Sequence, residues 1–387
     1  MKVAFYAPLK PPDYPVPSGD RQLARALLEA LRASGQEVFL ASHFRSFDPR
    51  GNVVRQERLR SIGEGLAQRL VARYRHSGGA PELWFTYHLY HKAPDWLGPT
   101  VCRALGIPYV VAEASIAAKQ RDGPWAPGYA GSVAAIGAAD ATVCLNPVDA
   151  PGVRQVRGAA RLEDRLAPFM DVDAFTASAA QCVSCVPPRR HRLRLITVAM
   201  MRDGAKLASY RLLAAALARI PAPDWELVVV GAGPARGEVE AAFARFDPSR
   251  IRFVGSRPST DIAALLFGSD LFVWPAIDEA FGMALLEAQA CGVPVVAGNA
   301  GGVAAVVDDG GTGILVPTGN VDAFALATRR LLIGTDERTR MGHEAVRYVR
   351  ARHDLAAAAT HLDALLLRVV AQRAAVSATA HIAPAPG

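Results

Sequence analysis

The chain has 387 residues, 51% of them hydrophobic and 20% charged, which excludes a disordered protein and leaves room for two separate cores. Five cysteines, an odd number without regular spacing, argue against a disulfide framework and for a reducing compartment. No uncharged apolar run reaches the length of about 18 residues that a transmembrane helix needs, so a cytoplasmic protein is expected. The net charge of +7 is uneven, because residues 21–75 hold 11 Arg against five acids. A solvated arginine-rich helix face accounts for this, and so does contact with an anionic membrane surface at its inner, cytoplasmic side. No aromatic residues interleave with the arginines as a nucleic-acid interface would want, so no nucleic acid is expected.

In chain order, residues 2–8 predict a first strand, too short and too soon followed by Lys10 and two prolines to be a signal peptide. A helix over 20–34 and a strand over 37–41 follow, the alternation of an open parallel sheet. A proline-rich loop leads into that helix through Ser18-Gly19-Asp20. Gly19 there either lets the backbone approach a ligand phosphate or belongs to an ordinary helix cap. The strand over 82–88 ends in Tyr87-His88-Leu89-Tyr90-His91, where His88 and His91 suit an acceptor hydroxyl or a structural role equally. Strands over 108–112, leading to Glu113-Ala114-Ser115, and over 141–145 complete the first half. The polar, Pro- and Arg-rich stretch 178–192 reads as a linker. Its Cys182-x-x-Cys185 pair lacks the partners of a zinc site, and no metal is expected.

In the second half, a strand over 193–200 runs into Met201-Arg202-Asp203-Gly204-Ala205-Lys206 and a helix ending at Ile220. The strand over 226–230 enters Gly231-Ala232-Gly233-Pro234, superficially a dinucleotide fingerprint. The next strand, over 251–254, ends in Gly255 where that fingerprint wants an acid, so Gly255-Ser256-Arg257 is read instead as bordering a nucleotide base. A strand over 270–275, a helix over 282–290 closed by Gly292 and Pro294, and a strand over 293–297 form a parallel unit whose ligand lies beyond the strand ends. Glu279 sits in its loop beside the free N–H groups of Phe281, Gly282 and Met283, and Glu287 sits on an otherwise uncharged helix, where its two oxygens match a vicinal diol. Asn299-Ala300-Gly301-Gly302 then offers backbone N–H groups to a phosphate. A helix over 355–372 precedes an Ala/Pro-rich tail.

Glu279, seven residues, then Glu287, with Phe281-Gly282 after the first acid and Ala288 after the second, resembles the signature of retaining glycosyltransferases of family 4. The resemblance extends over most of the chain and implies the GT-B fold, two doubly wound Rossmann-like α/β domains facing a cleft. The implied divisions are an acceptor domain over 1–177, a linker over 178–192, a nucleotide-sugar domain over 193–352, a helix over 353–374 crossing back to the first domain, and a disordered tail over 375–387. By the same resemblance Glu279 contacts the donor sugar, Glu287 holds the ribose, and Arg202 and Lys206 neutralise the donor diphosphate. Gly19 is carried over as a binding residue, and Gly301-Gly302 falls where the family has its Gly pair.

There are departures. The family usually has Gly before the arginine and one more residue between Arg and Lys, and it often has a Glu where Ala305 stands. A family His that touches the donor sugar is missing after the 108–112 strand, so that contact is either absent or supplied by Glu113, Ser115 or His88. The implied reaction is metal-independent retaining transfer, without a cofactor, from a nucleotide sugar to a glycan or lipid-linked acceptor. The rival readings are a nucleotide-sugar epimerase or hydrolase of the same fold, and a sugar-nucleotide-binding protein without turnover.

Overall fold

The structure is a computed structural model. It describes all residues except Pro17, 158–160, 182–185, 187, 189–191, 222–224, Phe281 and 381–387, and it leaves out the side chains of Ser77 and 376–380. The chain divides into two compact units, Met1–Leu166 with Leu355–Gly387, and Ala167–Asp354.

The first unit alternates β1 (Lys2–Tyr6), α1 (Gly19–Ala33), β2 (Glu37–Ser42), α2 (Val53–Ser77), β3 (Leu83–Leu89), α3 (Gly98–Leu105), β4 (Tyr109–Ala114), α4 (Ala126–Ala138), β5 (Ala141–Cys144), α5 (Ala150–Arg157) and β6 (Leu162–Arg165). Its six strands lie parallel in the order β2-β1-β3-β4-β5-β6. Parallel strands covered on both faces read as continuous apolar runs, and Leu83-Trp84-Phe85 and Tyr109-Val110-Val111-Ala112 are buried along their length.

The second unit contains α6 (Val172–Ser178), β7 (Leu193–Val198), α7 (Ala205–Leu217), β8 (Trp225–Val230), α8 (Arg236–Phe243), β9 (Ile251–Gly255), α9 (Ser259–Phe267), β10 (Leu271–Trp274), α10 (Met283–Ala290), β11 (Val295–Gly298), β12 (Gly313–Val316), α11 (Val321–Ile333) and α12 (Thr335–Arg352). Its parallel sheet runs β12-β11-β10-β7-β8-β9. The last helix, α13 (Leu355–Ala380), returns to the first unit.

Two boundaries differ from the sequence reading. The second unit begins at Ala167, so residues 167–177 belong to it and not to the first domain. The reason is packing: Val172 and Phe175 are buried in the second unit's core, the Met170 N–H donates to the His353 carbonyl at 2.9 Å, and His353 Nδ1 meets the Pro168 carbonyl at 2.6 Å. Likewise the helix expected to end near 372 continues to Ala380, so 375–380 is helical backbone and not disordered tail. The rest of that expected tail, and the Cys182/Cys185 pair, lie outside the described residues.

By length and composition α13 is apolar enough over Leu355–Ala375 to cross a membrane. In the first unit it packs instead as a surface-docked helix. Leu362, Leu365, Leu366 and Val369 are buried, Asp363 accepts from Gln36 Nε2 at 2.8 Å, and Arg373 reaches Asp140 at 2.8 Å.

Candidate functional site

In the second unit the site gathers where β7, β10 and β11, neighbours in the sheet, end. Past β10 the chain turns at Ala276, a buried non-glycine residue with φ of 49°, and the next N–H, of Ile277, donates to Ser209 Oγ of α7 at 3.1 Å. A side chain held in the left-handed region costs on the order of 1 kcal/mol, and such outliers gather at ligand sites. The turn brings the loop onto the first turns of α7. There the Lys206 ammonium is ion-paired with Glu279 Oε2, and the Trp274 indole N–H donates to the same oxygen at 3.1 Å.

The Lys206 Nζ also lies 5.3 Å from the centre of the Trp274 ring. Tyr210, one helical turn beyond Lys206, meets that ring edge-on at 5.0 Å and donates its hydroxyl to the Ala199 carbonyl at 2.8 Å. Lys206 is therefore held by a charge, an aromatic face and its helix, while no described residue donates to Glu279 Oε1.

From the other side, β11 feeds Gly301 and Gly302 against the Glu279 loop. Gly302 N–H donates to the Ala280 carbonyl at 2.9 Å and the Glu279 carbonyl at 3.3 Å. Gly301 has φ of 55°, and a Cβ there would lie 2.0 Å from the Glu279 oxygen, so only glycine fits. Gly282 caps α10, whose first residue Met283 is half-buried against the core; Phe281 lies outside the described residues.

Glu287 follows one turn later. Burial pushes its carboxyl up to about 7, and no described residue hydrogen-bonds or ion-pairs with it. A half-buried, desolvated acid without a partner is costly to ionise unless a ligand supplies donors. The two acids thus differ: Glu279 is held by Lys206 and Trp274, whereas Glu287 has no carboxyl partner among the described residues.

Arg202 and Arg257 are not drawn into this group. Arg202 is exposed, and Arg257 donates to its own loop at the Val254 carbonyl, 2.9 Å. The Gly231/Gly233 pair has a structural explanation, since a Cβ at Gly233 would lie 2.1 Å from the Met201 carbonyl. Trp274 and Ser209 were missed in the sequence. The signal for Trp274 was its place as the last residue of a buried strand, five before Glu279.

In the first unit, β3 and β4 end in a second cluster. Register pairs Tyr87 with Ala112 and Leu89 with Ala114, and between them His88 and Glu113 both adopt left-handed backbone, φ 58° and 55°. Two such outliers side by side mark a site over-determined by its surroundings. His88 Nδ1 lies 3.4 Å from Asp20 Oδ1, and Lys10 Nζ lies 3.1 Å from Asp20 Oδ2. Burial works against the Asp20 charge, but His88 and Lys10 hold the carboxyl well below its usual range. Burial pushes the Glu113 carboxyl up to about 7, and it accepts from the Asn146 N–H at 3.3 Å.

Gly19 opens α1 with Ser18 accepting from Arg21 N–H, but Asp20 places a carboxylate at that helix end, which opposes the phosphate contact expected of Gly19. His91 stands apart, its ring edge-on to Tyr90 at 5.1 Å and to Trp125 at 5.8 Å. Burial, with Lys92 and Lys119, lowers its pKa.

Two Rossmann-like parallel sheets, with acids and a lysine at the carboxyl ends of adjacent strands, define the GT-B class of fold. Over 95–100% of both chains the fold is shared with solved structures: a glycosyltransferase from Rickettsia africae (TM-score 0.73, 16% identity, 95% of this chain and 98% of that one), a sucrose-phosphate synthase from Thermosynechococcus elongatus (0.72, 21%, 96% and 100%) and the Anabaena protein HepE in complex with UDP (0.70, 18%, 95% and 100%). Residues 195–347 of the second unit match the model of the family described as glycosyl transferases group 1. A D-inositol 3-phosphate glycosyltransferase of Corynebacterium glutamicum is 36% identical over 132 residues, 34% of this chain and 31% of that protein. One of Kribbella flavida is 36% identical over 132 residues, 32% and 31%. The chain thus matches about a third of the length of these curated relatives.

Proposed function

We propose that the protein is a retaining glycosyltransferase of family 4 that moves a sugar from a nucleotide-diphosphate donor to a glycan or lipid-linked acceptor, without a metal or organic cofactor. The carrying observation is the Lys206–Glu279–Trp274 group set against the backbone of Gly301 and Gly302, with Glu287 half-buried on the adjoining helix and without a carboxyl partner among the described residues. In this reading Glu287 ionises onto the ribose diol, and Glu279 Oε1 takes a hydroxyl of the donor sugar. Lys206 supplies positive charge to the diphosphate, helped by exposed Arg202 and by loop N–H groups.

The bond from the sugar's anomeric carbon to the β-phosphate oxygen breaks and the nucleoside diphosphate leaves with the electron pair. The acceptor oxygen attacks from the same face, and its proton passes to the leaving phosphate oxygen. On the first unit, Asp20, His88 and Glu113 form a hydroxyl-binding group with carboxyl oxygens as acceptors and the imidazole as donor. The Lys10 ammonium beside this group is engaged with Asp20, which favours a neutral polyol surface over a phosphate ester at that point.

A panel of nucleotide sugars, screened by calorimetry and followed by product analysis with the best donor, tests the reading. A glycosylated acceptor with the donor's anomeric configuration is expected. Free sugar alone would indicate a hydrolase, an isomerised donor an epimerase, and binding without any product a non-catalytic protein.

A further inference from the structure

The arginine excess of the first unit is not spread evenly around α2. The helix buries Gln56, Gly63, Ala67, Leu70, Val71 and Tyr74. Its two acids lie together on one flank, where Glu64 meets Arg60 at 2.8 Å and Glu57 lies 4.0 Å from the same guanidinium. On the outward side Arg55, Arg58, Ile62, Arg69 and Arg73 follow one another at three-, four-, seven- and four-residue steps, which is a single stripe of a 3.6-residue helix. All four arginines are exposed, and none is ion-paired with a described acid. Ile62 is 41% exposed, and Val54, at the head of the stripe, is 80% exposed. At 1.5 Å per residue the stripe from Arg55 to Arg73 is about 27 Å long.

A stripe of guanidinium groups without acid partners among the described residues, Arg73 alone touching the Tyr74 hydroxyl at 3.3 Å, interspersed with aliphatic side chains and with the acids turned aside, has the charge and the apolar contacts that a bilayer surface complements. A nucleic acid would be served by exposed aromatic rings, but the helix's one aromatic residue, Tyr74, is buried. We propose that the face of α2 formed by Val54, Arg55, Arg58, Ile62, Arg69 and Arg73 is the surface by which the protein lies on an anionic lipid bilayer. It deepens the functional reading above, on which it rests for the bilayer-borne acceptor, by naming where the protein meets that bilayer. The guanidinium groups engage lipid phosphates, and Val54 and Ile62 enter between headgroups.

The experiment is sedimentation of the full chain with vesicles of phosphatidylcholine and phosphatidylglycerol in equal parts, and with phosphatidylcholine alone. Binding to the mixed vesicles only, weakening as salt is added, is expected. Arg55→Gln, Arg58→Gln, Arg69→Gln and Arg73→Gln together should lower partitioning roughly tenfold or more. The same four positions changed to Lys should keep most of it. Ile62→Asn should weaken it further than its unchanged charge predicts.

All these positions are exposed, and unchanged nucleoside diphosphate binding by the variants confirms that they fold. Equal sedimentation of the glutamine variant and the parent overturns the proposal. So does binding to a single-stranded oligonucleotide that depends on these arginines while vesicles leave the protein in solution. Vesicle binding that persists when no nucleotide sugar supports transfer would remove the functional reading and leave the surface standing.

Discussion

Glu279 and Gly301 are locked together through the backbone: a Cβ on Gly301 would lie 2.0 Å from the Glu279 carbonyl oxygen, and the following N–H, of Gly302, donates to that oxygen at 3.3 Å. The loop that carries the first acid is thus positioned by the strand after it. Gly301→Ala should push Glu279 away from Lys206 and force Ala into a left-handed conformation, costing about 2–4 kcal/mol in total. A fall in melting temperature together with a loss of turnover is expected. Wild-type turnover in Gly301→Ala would show that Glu279 needs no such support.

The two acids should separate experimentally. Glu287→Ala removes the group assigned to the ribose and should weaken nucleoside diphosphate binding by about 1.5–3 kcal/mol, the scale of charge-assisted hydrogen bonds. Glu279→Ala should spare that affinity and lower turnover of the whole donor. Calorimetry with the nucleoside diphosphate beside transfer assays decides, and the opposite pattern would invert the assignment.

Glu287 also gives a stability signature. Its carboxyl titrates at about 7 in the fold, above the ordinary value near ~4.3, so the neutral form is the one folding favours. That stability is fully present below the unfolded value and is lost as pH rises through about 7. Glu287→Gln should therefore raise the unfolding free energy by roughly 3–4 kcal/mol at alkaline pH and change it little at pH near ~4. Denaturant curves at both pH values measure this, and an equal effect at both would assign the change to packing.

Since Lys206 and the loop N–H groups are assigned the work of stabilising the diphosphate, transfer should continue in excess chelator. Lys206→Ala should lower the transfer rate by about 10²–10³. Activity lost to chelator and restored by Mn²⁺ or Mg²⁺ would overturn the metal-free reading.

The helix α13 buries Leu362, Leu365, Leu366 and Val369 in the first unit. At about 1.5–3 kcal/mol for each buried aliphatic side chain, removal of residues 355–387 takes away a large share of that unit's stability. Thermal unfolding of the truncated chain should lose the first unit's transition. An unchanged unfolding profile would refute the role given to this helix.

The sequence by itself determined the local pieces. The apolar runs of β3, β8 and β10, the break at Gly292 and Pro294 after α10, and the eight-residue interval from Glu279 to Glu287 are properties of short segments, and short segments set their own periodicity, caps and faces. The tertiary structure decided which pieces meet. Lys206 and Glu279 are 73 residues apart and touch because β7 and β10 are neighbours in the sheet, an order that no local pattern encodes. It also decided that Val172 and Phe175 fill the second unit's core, that His88 and Glu113 turn left-handed beside Asp20, and that Glu287 has no carboxyl partner among the described residues. Burial, strain and pairing depend on neighbours brought in from distant parts of the chain, and those neighbours exist only once the sheet is assembled.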